Sequence, residues 1–355
     1  MVNKKLLFVI SLLITVSLIL TGCFGNTSST DTEIKEAGEV VGQITEPLGS
    51  EPSRPASGMI ELEGENNYKT YATAQWDNVE GEPVMVGGTF SEQGVKEGSY
   101  TVKIHKIGYE TATKNITVSP NTTNDLGSIK LSLKESFNQN DGLYMYLFNR
   151  NVEPFNDPAV REALGYAIDW NDYSNFLQPP ATEPANRIMT PRTEGYTTEQ
   201  VTHDFNIDKA EEILSKAGYF NADSLDITIS VIVTENNKTH LNIAEKIQTY
   251  WEQINQVNVI IDDSYSTYSN YISDFNDDKI GIRYFAFVID NPDPLFYLES
   301  MENYIGYDSE EQKYLKDARM SLDDTNKALD YLYNLEESII NTGKVLPLHY
   351  LELNR

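Results

Sequence analysis

Cysteine is almost missing from this chain: Cys23 is the only one in 355 residues. No disulfide can form within the chain, so any folded part must rest on its core, which 40% apolar residues can supply. Basic residues are also scarce, with 27 Lys and Arg against 54 Asp and Glu and a net charge of −27. That balance argues against nucleic acid as a partner and against docking on anionic lipid through a basic patch, because both need clustered cations. The four histidines, His105, His203, His240 and His349, are scattered without metal-ligand spacing. There is no Gly-x-Ser-x-Gly elbow and no glycine-rich phosphate loop. An enzyme is therefore not expected, nor is a metal or cofactor. The stretch DNVEG at 77–81 lacks the remaining ligands of a calcium loop and reads as a solvated turn.

No apolar run reaches the ~20 residues that a membrane span needs. The longest, Leu6 to Leu20, follows Lys4 and Lys5 and leads into Thr21-Gly22-Cys23. A basic start, an apolar middle and small residues before a cut site make a secretory signal over 1–22. A lone thiol directly after Leu-Thr-Gly resembles the lipobox of bacterial lipoproteins. The resemblance implies that Cys23 carries lipid and becomes the new N-terminus, anchoring the protein to the membrane on the extracytoplasmic side. Residues 23–56, rich in Ser, Thr, Gly, Glu and Pro without a sustained period, read as a flexible tether.

Residues 57–134 read as all-β. In SYTVKIHKIGY, Tyr100, Val102 and Ile104 alternate with polar neighbours, and GSIKLSL alternates Ile129, Leu131 and Leu133. With glycines punctuating several short strands, a sandwich is expected. The run from Gly94-Val95-Lys96-Glu97-Gly98 to Lys106-Ile107-Gly108-Tyr109 resembles the carboxypeptidase regulatory-like and PEGA-type β-sandwiches, which implies a non-catalytic spacer or contact module. Residues 136–355 change to alternating strands and helices. GLYMYLFN is an apolar strand of the kind covered on both faces, Asp157-Pro158 opens a helix, and Val160, Leu164, Ala167 and Ile168 form its apolar stripe. The two parts, 57–134 and 136–355, are expected to fold as separate units.

YFAFVIDNPDP at 284–294 ends an apolar strand on a carboxylate, Asp290, followed by turn formers. From the local residues alone, a turn and a site are both open. The stretch YLFNRNVEPFNDPAVREALGYAIDW, with NIDKAEEILSKAGY, IAEKIQTYWEQI, Asp290 with Pro292 and Pro294, and Pro347-Leu348 in order after it, resembles family 5 of the bacterial extracellular solute-binding proteins, the oligopeptide- and dipeptide-binding class. The fold implied for 136–355 is the second lobe of a type II periplasmic-binding-protein fold, giving a multidomain chain of a small sandwich and an α/β domain. The resemblance also implies a peptide or similar solute as ligand, an ABC permease as partner, Asp290 as acceptor for the peptide amino group, and Ala286 and Val288 as backbone partners. It departs from the family where the sandwich stands in place of the first portion of lobe I and the chain stops at Arg355. A half-clamp with weak binding is the expectation, with a structural or interaction lipoprotein, or the product of a truncated gene, as the alternatives. Tyr265, Tyr268, Tyr271 and Trp170 are further candidates for a cleft wall, against core or rim packing.

Overall fold

The computed structural model describes residues 37–48, 51–79, 82–134, 140–219, 224–234 and 238–353. The expected signal segment, Cys23 and the first part of the expected tether lie outside these residues. The N-terminal strands are β1 (Ala37–Leu48), β2 (Glu51–Pro55), β3 (Gly58–Glu63), β4 (Tyr68–Ala72), β5 (Ala74–Val79) and β6 (Glu82–Gly87). They are followed by β7 (Thr89–Lys96), β8 (Gly98–His105), β9 (Tyr109–Glu110), β10 (Ala112–Val118), β11 (Thr123–Lys130) and β12 (Ser132–Leu133).

The stretch expected to be a tether is a correction. Its residues 37–48 and 51–55 are strands of the sandwich, and β1 is a central strand, parallel to β11 on one side and antiparallel to β7 and β2 on the other. The polar composition hid an alternation, since Val40 and Ile44 of β1 are fully buried. A second sheet has the order β10-β8-β3-β4. Tyr100, Val102 and Ile104 of β8 and Ile60 and Leu62 of β3 face Val40, Ile44, Phe90 and Val95 of the first sheet across one core. The hairpin β5–β6 stands apart from both sheets.

The remainder is α/β. Its elements begin with β13 (Asn140–Phe148), α1 (Pro158–Tyr166), α2 (Trp170–Phe176), β14 (Ala181–Pro184), α3 (Ile207–Lys216), β15 (Leu225–Ile232) and α4 (Thr239–Trp251). They continue with β16 (Val257–Tyr265), α5 (Tyr268–Asn276), β17 (Ile282–Ile289), α6 (Pro294–Ile305), α7 (Ser309–Arg319), α8 (Thr325–Asn341) and β18 (Val345–Leu353). The main sheet is antiparallel, in the order β14-β18-β13-β17, and β15 and β16 form a separate parallel pair.

Both faces of the main sheet are covered. Leu143, Met145, Leu147 and Phe285 pack with α6, α7 and α8, while Tyr146, Phe148, Ile282 and Tyr284 pack with α1, α4 and β15. That double burial is why β13 reads as an unbroken apolar run. Asp157 caps α1 by accepting from the Ala159 amide at 2.9 Å, with Pro158 in the first turn. Val160, Leu164, Ala167 and Ile168 are fully buried. Trp251 closes α4 against α1, its indole N–H donating to the Leu164 carbonyl at 3.0 Å.

The two parts share a core at one end. Met59 of β3 and Ile107 after β8 are buried in the cluster that contains Leu143, Met145 and Leu295. Ala74 of β5 and Met85 of β6 pack against Ile289, Phe296 and Tyr297.

Candidate functional site

β17 is the edge strand of the main sheet, and among the described strands only β13 pairs with it. Its polarity follows from two bonds. The Asn149 amide donates to the Gly281 carbonyl at 2.8 Å, and the Tyr284 amide turns the other way, to the Tyr271 hydroxyl, at 2.8 Å. By the two-residue period of a strand, the N–H and C=O groups of Ala286 and Val288 also point away from β13. Both residues are exposed, Val288 by 54%. The other side of the gap near Tyr284 is bridged, because the Tyr271 hydroxyl also donates to the Ser230 carbonyl of β15 at 3.0 Å. The open edge is thus confined to the C-terminal half of β17.

The strand then enters Asp290-Asn291-Pro292-Asp293-Pro294, where each polar group has a task. The amides of Asp290 and Asn291 both donate to the Tyr297 hydroxyl, at 2.9 and 3.0 Å. Asn291 Oδ1 accepts from the Asp293 amide at 3.0 Å, and Asp293 Oδ1 caps α6 at the Leu295 amide, at 3.1 Å. Pro294 takes the first helical turn. The turn chemistry read from the sequence is therefore carried by Asn291, Asp293 and Pro294, and the Asp290 carboxylate is left over from it.

That carboxylate grips an arginine of the sandwich. Arg54 Nη1 lies 2.6 Å from Asp290 Oδ2 and Nη2 lies 3.0 Å from Oδ1, a bidentate fork. Arg54 Nε donates to Glu46 Oε1 at 2.7 Å. Burial alone would lower the Arg54 pKa, but the bond to Asp290 and the charges of Glu46 and Asp290 reverse this and hold the guanidinium firmly charged. A second cation stands behind it: Lys106 Nζ lies 2.6 Å from Asp293 Oδ2 and 3.6 Å from Glu46 Oε2. Burial opposes its charge, and Asp293 and Glu46 restore it, so its pKa is raised.

The docking surface of the sandwich is centred on the run Lys106-Ile107-Gly108. Lys106 reaches Asp293, Ile107 enters the α/β core, and Gly108 lies against Pro292. Further out, Tyr71 of β4 donates to Glu299 Oε1 at 2.8 Å, and Lys69 pairs with Asp323 at 2.9 Å. Between β5 and the β17–α6 corner lies a cavity of about 330 Å³, with Val288, Asp290 and Glu299 in its wall. A larger hollow of about 750 Å³ near Pro154, Pro158 and Tyr219 is wide open and touches none of these residues.

Of the candidates named from sequence, Asp290, Ala286 and Val288 come together on one edge. Cys23 lies outside the described residues. The aromatics do not make a cleft: Tyr271 is 1% exposed and structural, Tyr268 is on the surface, Tyr265 packs on Tyr271, and Trp170 donates to the His203 carbonyl. Sequence reasoning missed Arg54, Glu46, Lys106 and Glu299. Arg54 left one trace, being the only basic residue between Lys35 and Lys69.

The description "Bacterial extracellular solute-binding proteins, family 5 Middle" matches residues 108–307. The chain is 24% identical over 222 residues to the dipeptide-binding protein DppE of Bacillus subtilis, covering 59% of this chain and 40% of that protein. It is 28% identical over 147 residues to the heme-binding protein A of Haemophilus influenzae, covering 41% of this chain and 27% of that one. Among solved structures, the dipeptide binding protein from Pseudoalteromonas sp. SM9913 in complex with Met-Leu superposes with a TM-score of 0.51 at 21% identity, over 60% of this chain and 43% of that one. The chain thus spans about two fifths or less of the length of these curated relatives. The family match extends over more than half of the chain, from the docking run at Gly108 through the Asp290 turn, and the protein belongs to the bacterial extracellular solute-binding proteins of family 5.

Proposed function

We propose that the protein is the solute-binding component of an ABC importer, a lipoprotein anchored through Cys23 on the extracytoplasmic side, and that it takes a peptide or similar solute along the outer edge of β17. The observation that carries this is the pairing of an open strand edge with a cation-holding carboxylate at its end. The outward N–H and C=O groups of Ala286 and Val288 offer an extended chain the bonds of an added strand. Asp290, one step further, already holds a guanidinium in bidentate geometry, the charge-assisted contact that a terminal ammonium would also seek. Arg54 then acts as an internal competitor, and a ligand amine gains Asp290 only by displacing it. Family 5 solute-binding proteins are not enzymes, and among the described residues no three His, Cys, Asp or Glu side chains converge on a metal position. Among the described residues no helix is long and apolar enough to cross a membrane.

The same ion pair favours one rival. Because Asp290 is satisfied within the chain, the protein could instead be a structural or protein-interaction lipoprotein in which the sandwich, akin to the carboxypeptidase regulatory-like modules, is a fixed contact domain.

Calorimetry with a short-peptide pool and its N-acetylated counterpart, on the wild type and Arg54→Gln, separates the two. Amine-dependent binding that tightens in Arg54→Gln is the expected result. Equal binding of both pools in both proteins removes Asp290 from ligand recognition, and no binding in either protein favours the rival.

A further inference from the structure

The open edge of β17 fixes where the side chains of an added strand go. With its amine at Asp290, such a chain runs antiparallel to β17, from Asp290 toward Ala286. The outward groups of Val288 and Ala286 then pair with its first and third residues, because the nitrogen of the residue opposite Val288 is the one turned toward Asp290. Its second residue stands opposite Phe287, and directly opposed residues put their side chains on the same face of the sheet. Phe287 is partly buried on the α6 side of that sheet, packed on the cluster that holds Phe285 and Leu295. It lies in the wall of the cavity of about 330 Å³ between β5 and the β17–α6 corner.

One wall of that cavity comes from the sandwich: Thr73, Ala74 and Gln75, where β4 passes into β5. Ala74 is fixed there by packing on Ile289 and Phe296. The buried charges of the wall are matched within the chain. Asp290 holds Arg54, and Glu299 Oε1 accepts from Arg319 Nε at 2.6 Å and from the Tyr71 hydroxyl at 2.8 Å. Arg283 lies 4.8 Å from the ring centroid of Phe285 and 5.6 Å from that of Tyr304, so a cation already covers those two rings, and Phe287 is the ring left for an occupant. A charged side chain entering here would lose water without gaining a buried partner, which is costly, whereas an uncharged one loses little. The volume lies at the small end of ligand pockets and holds one large side chain rather than a whole peptide.

We infer that this cavity receives the side chain of the second residue of a bound peptide, that it selects a large uncharged side chain, aromatic above all, and that the sandwich forms one wall of the ligand site. The inference rests on the peptide reading proposed above and names the class of peptide within it. The half-clamp expected from the sequence thereby gains a second wall at Thr73 and Gln75, supplied by the module that stands in place of the first lobe.

The test is calorimetry on the full chain, wild type and Arg54→Gln, with four tripeptides: Ala-Phe-Ala, its isomer Phe-Ala-Ala, Ala-Lys-Ala and Ala-Ala-Ala. Ala-Phe-Ala should bind at least about tenfold tighter than each of the others, from burial of the ring at the second position alone. Gln75→Trp, at an exposed position of the sandwich wall, fills the cavity and should bring the ratio of the two isomers' affinities near one. Should that variant not fold, the wild type with ¹³C-labelled alanine methyls reads the same contact, as a nuclear Overhauser effect from the peptide ring to the Ala74 methyl. Equal affinity of the two isomers, Ala-Lys-Ala as tight as Ala-Phe-Ala, an unchanged ratio in folded Gln75→Trp, or a missing effect at Ala74 overturns the inference. Amine-dependent binding that is blind to the second side chain refutes this inference and leaves the peptide reading standing. No binding of any of the four, in wild type and in Arg54→Gln alike, refutes the peptide reading and this inference with it.

Discussion

A Cβ placed on Gly108 would lie 2.5 Å from Cγ of Pro292, so the backbone of the sandwich rests directly on the ring of the turn that follows β17. Gly108 also has φ +79°, a conformation that side-chain-bearing residues rarely adopt. Gly108→Ala should therefore cost about 2 kcal/mol or more in chemical denaturation, from backbone strain and from the contact. Ala at Gly94, which also has positive φ but open space around it, should cost only the strain, about 1 kcal/mol. Equal losses at the two positions would show that the Pro292 contact carries nothing.

Arg54 neutralises two carboxylates of distant segments, Glu46 and Asp290. Arg54→Gln should destabilise the protein by about 3 kcal/mol, mostly by leaving charge unpaired at low exposure. The double variant Arg54→Gln with Asp290→Asn should recover part of that loss, because the orphaned charge is removed too. Denaturant midpoints for the three variants measure this, and strict additivity would mean that the pair is not coupled.

His349 is buried and its Nδ1 lies 2.8 Å from the Tyr173 hydroxyl. Burial lowers its pKa to about 3 in the folded protein, from the ordinary value of 6.5. A depressed folded pKa means that the unfolded chain binds the extra proton first. Stability from this group is complete above pH 6.5 and falls as pH drops through the window down to about 3. Between pH 7 and pH 5 the loss should be about 2 kcal/mol. His349→Gln should flatten the curve over that window, and an unchanged slope would place the titration elsewhere.

Arg187 and Glu336 form a buried pair at 2.6 Å, and Glu336 Oε1 also takes the amides of Ile188 and Met189. Arg187→Met should cost about 3–5 kcal/mol, since it strands a carboxylate that is 0% exposed. Urea denaturation measures it, and a loss under 1 kcal/mol would mean that the amides alone hold Glu336.

The mature protein should begin at Cys23 and carry lipid there. Intact mass decides: an unmodified cysteine, or an N-terminus elsewhere, removes the anchor.

What could be read from the sequence was what repeats along it. The alternation of Tyr100, Val102 and Ile104 marked β8, and the stripe Val160, Leu164, Ala167 and Ile168 marked α1, because local periods set which face is buried. Helix α5 was missed although Tyr268, Tyr271, Ile272 and Phe275 have helical spacing, since four apolar or aromatic residues among polar ones resemble a cleft wall as much as a stripe. β1 was missed because Gly38 and Gly42 interrupt Val40 and Ile44 on the inner face while Glu39, Gln43 and Thr45 make the other face polar. For the site, the strand end at Asp290 was visible but its partner was not. A contact between residues 54 and 290 has no period and no spacing, and Lys106, Ile107 and Gly108 looked like the inner logic of a sandwich when they face the α/β part, with only Tyr109 turned into the sandwich core.

The position of β1 has a consequence for the order of folding. It is the first described strand, yet it sits inside its sheet, between β11 and the antiparallel strands β7 and β2. Its parallel partner does not begin until Thr123, and Arg54 just after β1 waits for Asp290. A chain delivered from its N-terminus can pair the end of β1 with β2 at once, but the rest of the strand stays open until β7 and then β11 arrive, and the Arg54 fork waits longer still. Such long loops close slowly, and exposed strand edges invite wrong partners in the meantime. The polar outer face of β1, with Glu39 and Gln43, gives the waiting strand charge and hydration until β7 and β11 enclose it.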